Sequence, residues 1–255
     1  MKVRKLYIAV MLLLVSSLVL SSCAAFAPAA TSTPLPPTKT PKPSKTPTST
    51  PKPTKTPLPT ATPNLAPTQR VDDFAGKIKE YYDAGYISTT SGGYSELSDI
   101  NKEWKELSYY QWWDTGYKPT NFVINTDVAW NSASTAADTS GCGFVFRIQD
   151  NYDHYMLYLS LKGYVEMATN INHNWNGMGI GTFGNPAVHG KATLTLIVEG
   201  KIFHVLVNDR LIKTYTGFDG KLTNGALAYT VLSGTNKSYG TNCVFTHTVL
   251  WTIQN

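Results

Sequence analysis

The feature that most constrains this chain is a long proline-rich segment that cannot form a packed structure. Residues 28–68 are of low complexity, with imperfect repeats such as residues 37–43 (PTKTPKP) and 53–59 (PTKTPLP). Each proline fixes φ and removes an amide donor, so this segment is predicted to be an extended polyproline-type spacer. At roughly 3.1 Å per residue it spans on the order of 120 Å. The folded part of the chain is therefore expected to begin near Val71.

The N-terminus has the pattern of an export signal. Three basic residues, Lys2, Arg4 and Lys5, precede an apolar run over residues 6–20. That run is shorter than the roughly 20 apolar residues that a permanent transmembrane helix needs. The pattern predicts a signal peptide over residues 1–22.

Residues 20–23 (Leu-Ser-Ser-Cys) resemble the lipobox of bacterial lipoproteins. The resemblance implies that Cys23 is lipidated and becomes the mature N-terminus. The implied partner is a lipid bilayer, and the implied location is the extracytoplasmic side of a cell membrane, with residues 23–70 as a tether. The alternative is an ordinary secretory signal in which Cys23 is incidental.

The charge of the chain is distributed unevenly. The whole sequence has a net charge of +5, but residues 71–255 contain 13 basic and all 17 acidic residues, so the folded part is negative by about four. The basic residues belong to the signal peptide and the tether. This distribution argues against nucleic acid as a partner of the folded part.

Hydrophobic periodicity predicts one mainly β domain over residues 71–255. Helical spacing of apolar residues predicts helices near residues 74–82 and 97–107, as an extension that ends at about residue 108. Residues 122–130, 144–149, 155–169, 192–215, 226–232 and 244–253 instead have the alternation and tight turns of antiparallel strands. The predicted fold class is an all-β, two-sheet jelly-roll sandwich with short N-terminal helices after a disordered linker.

Part of this strand pattern resembles the concanavalin A-like lectin and glucanase superfamily, including its laminin-G-like members. The resemblance lies in residues 194–209 (LTLIVEGKIFHVLVND) and 141–147 (GCGFVFR), and it extends over roughly residues 121–253. It implies the concanavalin A-like sandwich, but the fold does not fix the function, so the site must be argued separately. It also implies Ca²⁺ as a cofactor, because many relatives bind it; the Asp/Asn-rich turn that contains Asp150 and Asp153 offers oxygen ligands, although such residues favour turns without any metal.

Two cysteines remain once Cys23 is assigned to lipid. Cys142 and Cys243 each lie near the start of a predicted strand, and an even number of cysteines in an exported domain indicates a disulfide. Two buried free thiols are the alternative.

Sequence patterns of catalysis are sparse. The Glu-x-Asp-x-x-Glu pattern of laminarinase-like enzymes is missing, the five histidines are dispersed, and no His-Glu-x-x-His or Gly-x-Ser-x-Gly occurs. No catalytic residue is predicted. A pair such as Asp150 or Asp153 with Glu166 along one cleft would favour an enzyme.

The strongest candidate ligand site is the segment over residues 170–190, predicted to be a long loop. Its candidate residues are an aromatic ring for stacking on a sugar and polar groups for hydrogen bonds, namely Trp175, His173, Asn174 and Asn176, together with Tyr152. A tryptophan that only pins the loop is the alternative. Trp112 and Trp113 belong to a second aromatic cluster, predicted to be buried against the N-terminal helices, with exposure of one ring as the alternative.

The favoured hypothesis is a surface-anchored, non-catalytic module that binds extracellular or cell-wall glycan. A glycoside hydrolase or lyase with an unfamiliar catalytic set is one alternative. A protein-binding adhesion module is another, and a broad exposed aromatic patch would favour it.

Overall fold

The computed structural model describes residues 66–137, 139–185, 187–218 and 222–254. The signal peptide, the lipobox and most of the predicted tether lie outside these residues. In the part of the chain that is described, no helix is both long and apolar enough to cross a bilayer.

In the described residues, one α-helix precedes thirteen strands. The elements are α1 (Ala66–Asp83), β1 (Gly92–Glu96), β2 (Ile100–Trp104), β3 (Tyr109–Asp114), β4 (Phe122–Ser132), β5 (Gly141–Ile148), β6 (His154–Ser160), β7 (Tyr164–Ile171), β8 (Asn174–Thr182), β9 (His189–Glu199), β10 (Ile202–Val207), β11 (Arg210–Thr216), β12 (Ala226–Ser233) and β13 (Thr241–Ile253).

The strands form two antiparallel sheets. Sheet 1 has seven strands in the order β1-β13-β4-β9-β10-β11, with β2 also paired to β13. Sheet 2 has six strands in the order β3-β12-β5-β6-β7-β8. The prediction of an all-β, two-sheet jelly-roll sandwich is therefore confirmed.

The main core lies between the sheets and follows the period of two predicted from the sequence. Along β4, Phe122, Ile124 and Val128 point into it, and along β5 Phe144 and Phe146 do so. The disulfide between Cys142 and Cys243 joins β5 of sheet 2 to β13 of sheet 1, with a Cα–Cα distance of 5.8 Å. The predicted pairing is thus confirmed, and the bond links the two sheets through the core.

Helix α1 covers part of the outer face of sheet 1. Its apolar stripe, Phe74, Ile78 and Tyr81, packs in one cluster with outward-facing strand residues such as Val123 and Ile197. These strand residues are therefore buried on the side of the sheet opposite to the core. The helix begins at Ala66, within the predicted tether, and ends in a Schellman motif. Gly85 there has φ +73° and donates to the Tyr82 carbonyl, while the Tyr86 amide donates to the Tyr81 carbonyl.

Two predicted elements were wrong. Residues 97–107 do not form a helix, because Ile100 and Trp104 lie on one face of strand β2 and pair through it with β13. A spacing of four fits a strand face as well as a helix face, since four is an even number. The predicted loop over residues 170–190 is largely strand β8, joined to β7 by a two-residue turn at Asn172 and His173. Both turn residues have positive φ (51° and 60°), as a type I′ hairpin requires.

Candidate functional site

The outer face of sheet 2 carries a connected group of aromatic side chains. Strand alternation directs Tyr110 and Trp112 of edge strand β3 to this face, and His154 of β6 and Trp175 of β8 lie on it too. Tyr152 precedes β6 in the turn from β5. We call these five residues, Tyr110, Trp112, Tyr152, His154 and Trp175, the aromatic surface.

The rings of the aromatic surface lie within contact of one another. Ring centroids are 5.6 Å apart between Tyr110 and Trp175, 5.7 Å between Tyr110 and Trp112, and 6.3 Å between Trp112 and Tyr152. His154 lies among them, 5.1 Å from Trp112. These separations are those of favourable aromatic pairs, so the rings support each other's orientation.

Small and apolar residues form the base on which these rings lie. Tyr110 and Trp112 pack against a cluster of Val145, Met156 and Leu232 on the outer side of sheet 2. They therefore lie across the sheet and are half-buried, whereas Tyr152 and Trp175 remain 63% and 48% exposed. The surface offers two accessible aromatic side chains supported by two half-buried ones.

Hydrogen bonds fix the polar group at the centre. His154 is fully buried, and its Nδ1 lies 2.6 Å from the Tyr152 carbonyl oxygen, which can only accept. Nδ1 therefore carries the proton, and Nε2 accepts a hydrogen bond from the Tyr110 hydroxyl at 2.8 Å. Burial lowers the pKa of His154 and raises that of Tyr110, so both groups are neutral near pH 7. The Tyr110 hydroxyl thus donates inward to His154, and the Asn170 side chain forms a hydrogen bond with the same hydroxyl.

The backbone at Tyr152 is unusual. This bulky residue has φ +65°, in the left-handed region, and its amide donates to the Gln149 carbonyl at 2.9 Å. Such a conformation costs on the order of 1–3 kcal/mol and is most often retained at functional sites. Here it directs the Tyr152 carbonyl to His154 while the ring stays exposed.

The structure unites only part of the predicted ligand site. Tyr152 and Trp175 belong to the same aromatic surface. Asn174 and Asn176 alternate with Trp175 along β8, so they lie on its opposite side, and their amides donate to the backbone carbonyls of Asn172 and Asn174. His173 is an exposed turn residue. These three polar residues were predicted to lie together with Trp175, but the strand geometry does not place them there.

Three residues of the aromatic surface were not predicted as site residues. Tyr110, a member of the second aromatic cluster, and His154 were not predicted to bind a ligand, and the predicted burial of Trp112 and Trp113 against the N-terminal helices was wrong. Trp112 lies on sheet 2, and Trp113 points to the opposite side of β3, with Lys102 Nζ 5.5 Å from its ring centroid. The alternation of Tyr110 and Trp112 was the available signal for a shared face.

The predicted carboxylate and metal residues do not converge. Asp153 accepts from the Asn172 amide at 2.7 Å, and Asp150 lines a separate cavity with Lys118. Glu166 accepts from the Tyr158 hydroxyl at 2.8 Å, four residue pairs along β6 and β7 from His154. This offset is roughly 13 Å, beyond the spacing of about 5 to 9.5 Å that glycosidase carboxylates need. Among the described residues, no three His, Cys, Asp or Glu side chains come together as metal ligands. The Ca²⁺ prediction therefore gains no support and stays a prediction.

A second polar group lies on the outer face of sheet 1, beside a cavity of about 610 Å³ that Asp127 lines. The Asp127 carboxylate accepts from the Thr193 hydroxyl at 2.7 Å and lies 3.1 Å from His247 Nδ1. The side chains of His247 and Asp127 are 68% and 53% exposed. A contact this exposed contributes little to stability, and it lies on the other sheet from the aromatic surface.

No protein-family model matches this sequence. No curated protein matches it either. The chain is similar in structure to a carbohydrate-binding module, CBM66 from Bacillus subtilis, with 13% identity, a TM-score of 0.46, and coverage of 61% of this chain and 93% of the module. It is also similar to a fructosyltransferase from A. japonicus (11% identity, TM-score 0.46, 65% of this chain, only 27% of the enzyme) and to sheep galectin-11 (14% identity, TM-score 0.37, 57% and 98%). At this level of sequence identity, the similarity concerns the fold alone.

Proposed function

We propose that this chain is a lipid-anchored, extracytoplasmic protein whose sandwich domain binds glycan at the aromatic surface. The observation that carries the proposal is the exposure of Trp175 and Tyr152 on a rigid sheet face, joined by Tyr110 and Trp112. An exposed ring face can cover the apolar face of a sugar, and the Tyr110 hydroxyl beside it can accept from a sugar hydroxyl.

Anchoring rests on the sequence of the N-terminus and on one structural observation. The export signal and the lipobox-like residues end at Cys23. The disulfide between Cys142 and Cys243 supports export, because disulfides persist in oxidising compartments outside the cytosol. Metabolic labelling with a clickable fatty acid tests the anchor. We expect label on the wild-type chain and none on Cys23→Ser; an equally labelled variant would contradict it.

Binding is tested with the full chain on an array of extracellular and cell-wall glycans. We expect Trp175→Ala to weaken binding to the selected glycan by roughly tenfold or more. A stacking pair contributes about 0.5–1.5 kcal/mol beyond its buried area, and 1.4 kcal/mol is a factor of ten.

Tyr82→Ala is the matched control. Tyr82 lies on α1, is also 48% exposed, and belongs to the opposite side of the sandwich. The Tyr82→Ala variant should bind the selected glycan as tightly as the wild type does. Equal losses in both variants, or no glycan binding at all, would overturn the proposal.

A protein-binding adhesion module is the second candidate, because the aromatic surface is an open patch. The buried hydrogen-bonded pair of His154 and Tyr110 favours the glycan, since it fixes a polar acceptor among the rings. The adhesion module would be favoured if the wild type retained a protein partner, Trp175→Ala released it, and no glycan was bound.

A further inference from the structure

Both charged side chains at the described outward strand positions of sheet 2 are negative. By strand alternation this face presents Asp114 on β3 and Glu166 on β7. Its remaining outward residues are uncharged at neutral pH: Tyr110, Trp112, Ala228, Thr230, Leu232, Gly141, Gly143, Val145, His154, Met156, Tyr158, Ser160, Tyr164, Ala168, Asn170, Trp175, Ile180 and Thr182. Residues 71–255 contain 13 Lys and Arg residues, yet none lies among these described strand positions.

The carboxylates are placed around the rings of the aromatic surface. Glu166 accepts a hydrogen bond from the hydroxyl of Tyr158, which packs in the same outer cluster as Tyr110 and Trp112. Asp114 follows Trp112 on the same face of β3. Asp153 lies next to both Tyr152 and His154 in sequence, and its carboxylate is held by the Asn172 amide.

Glu166 is held in place and keeps its charge available. The Tyr158 hydroxyl donates to one of its oxygens at 2.8 Å. Burial, and then the charge of Glu166, raise the pKa of Tyr158, so this hydroxyl keeps its proton and continues to donate. The other carboxylate oxygen makes none of the side-chain hydrogen bonds found for the described residues.

Several tilted rings bordered by carboxylates have the chemistry of an ammonium site. A cation within about 6 Å of a ring centroid is attracted by the negative face of the ring, and aromatic cages recognise ammonium ligands in this way. The rings of Tyr110, Trp112 and Trp175 are tilted by 35° and 46° about Tyr110 rather than stacked flat. His154, the one imidazole among them, is kept neutral by burial and adds no positive charge.

We infer that the glycan bound at the aromatic surface carries amino groups, so that its ammonium lies against the rings and near Glu166. This inference rests on the proposed function and names the ligand class of the same site. Glycans with carboxylates or sulfates are disfavoured there, because both charged side chains at the described outward strand positions of this face are negative.

The test compares two oligosaccharides of equal length and linkage, a chitin hexamer and a fully deacetylated chitosan hexamer, with the full chain at pH 5.5 in low salt. We expect the chitosan hexamer to bind at least tenfold tighter, and this preference to shrink in 0.5 M NaCl. Glu166→Gln should lower the preference severalfold while retaining an acceptor for Tyr158. Asp73→Asn, which removes an exposed carboxylate from α1 on the other side of the sandwich, should leave it unchanged.

The outcomes separate this inference from the proposed function. Equal or tighter binding of the chitin hexamer would overturn the inference and leave glycan binding intact. A preference for chitosan that Glu166→Gln and Asp73→Asn reduce equally would also overturn it, because the attraction would then be a general effect of net charge. Binding of choline chloride without either hexamer would support ammonium recognition and contradict the glycan. Binding of neither hexamer and no choline would overturn both.

Discussion

The outer faces of the two sheets are covered in different ways. On sheet 1, α1 lays Phe74 and Ile78 over strand residues such as Val123, which are buried although they point away from the core. On sheet 2, the aromatic rings lie across the strands, and Trp175 and Tyr152 remain exposed. The single helix in the described part of the chain packs on sheet 1 and leaves the aromatic surface of sheet 2 uncovered, as the proposed function requires.

Aromatic rings therefore have different roles on the two faces. Rings beneath α1 contribute stability, because they are removed from water on folding. Exposed rings on sheet 2 contribute little to stability, and under the proposed function they contribute much to recognition. Substitutions on the two faces should therefore separate loss of stability from loss of binding.

The largest effect should come from the bond that joins the two sheets. Replacing Cys142 and Cys243 together with serine should lower the free energy of unfolding by up to about 4–5 kcal/mol, since the bond closes a loop of 101 residues. Urea denaturation of the wild type and of the double variant measures this difference in the free energy of unfolding. Because both faces depend on one core, glycan binding and α1 should be lost at the same urea concentration. Separate transitions would contradict a shared core.

Removing the cover from sheet 1 should have the next largest effect. Phe74 is 5% exposed on α1, and Phe74→Ala should destabilise the domain by about 3–5 kcal/mol through lost burial and the cavity left behind. Glycan affinity measured in the absence of urea should stay within about twofold, because the binding face is on the other sheet. A large loss of affinity in a variant that remains folded would break the distinction between the faces.

His154 should make the stability depend on pH. Its folded pKa is lowered by burial, so the unfolded chain takes up a proton first as the pH falls. Stability should therefore be full above about pH 6.5 and should decline below it, by at most about 1.4 kcal/mol per pH unit from this group. His204 on sheet 1 has a pKa lowered in the same direction by burial, so the contribution of His154 is the difference from His154→Gln. Parallel pH profiles for the wild type and this variant would contradict the account.

The smallest effect on stability should come from Tyr152→Gly. The left-handed backbone at Tyr152 is strained for tyrosine and permitted for glycine, so the free energy of unfolding should change by less than about 1 kcal/mol in either direction. Glycan affinity should nevertheless fall severalfold, because an exposed ring is removed. Thermal unfolding and glycan titration of one preparation give both values; unchanged affinity would remove Tyr152 from the site.

The sequence was sufficient for much of the fold and for part of the site. Period-two alternation located β4 and β5, and the turn at Asn208 and Asp209, with φ of 51° and 61°, has the geometry its residues predicted. Strand β8 was missed because asparagine and glycine are poor strand formers. It exists because its ladder with β7 and the turn at residues 172–173 outweigh that local preference.

Sequence patterns could not predict which residues form the aromatic surface, and the reason is topological. Residues 110–112, 152–154 and 175 are far apart in the chain; they belong to β3, β6 and β8 of one sheet and to the turn before β6, and their side chains meet over its outer face. Trp175 and Tyr152 could be selected one by one as aromatic residues near polar neighbours. The role of His154 depends on its contacts with Tyr110 and the Tyr152 carbonyl, which no local pattern encodes.

The most direct test of the central claim uses the tryptophans of both faces at once. The chain has six tryptophans, and the indole N–H signals of ¹⁵N-labelled protein report on each during titration with the selected glycan. We predict that the signals of Trp112 and Trp175 shift, while that of Trp251, which packs in the cluster beneath α1, stays in place. Shifts at Trp251 with Trp112 and Trp175 unchanged would contradict glycan binding at the aromatic surface.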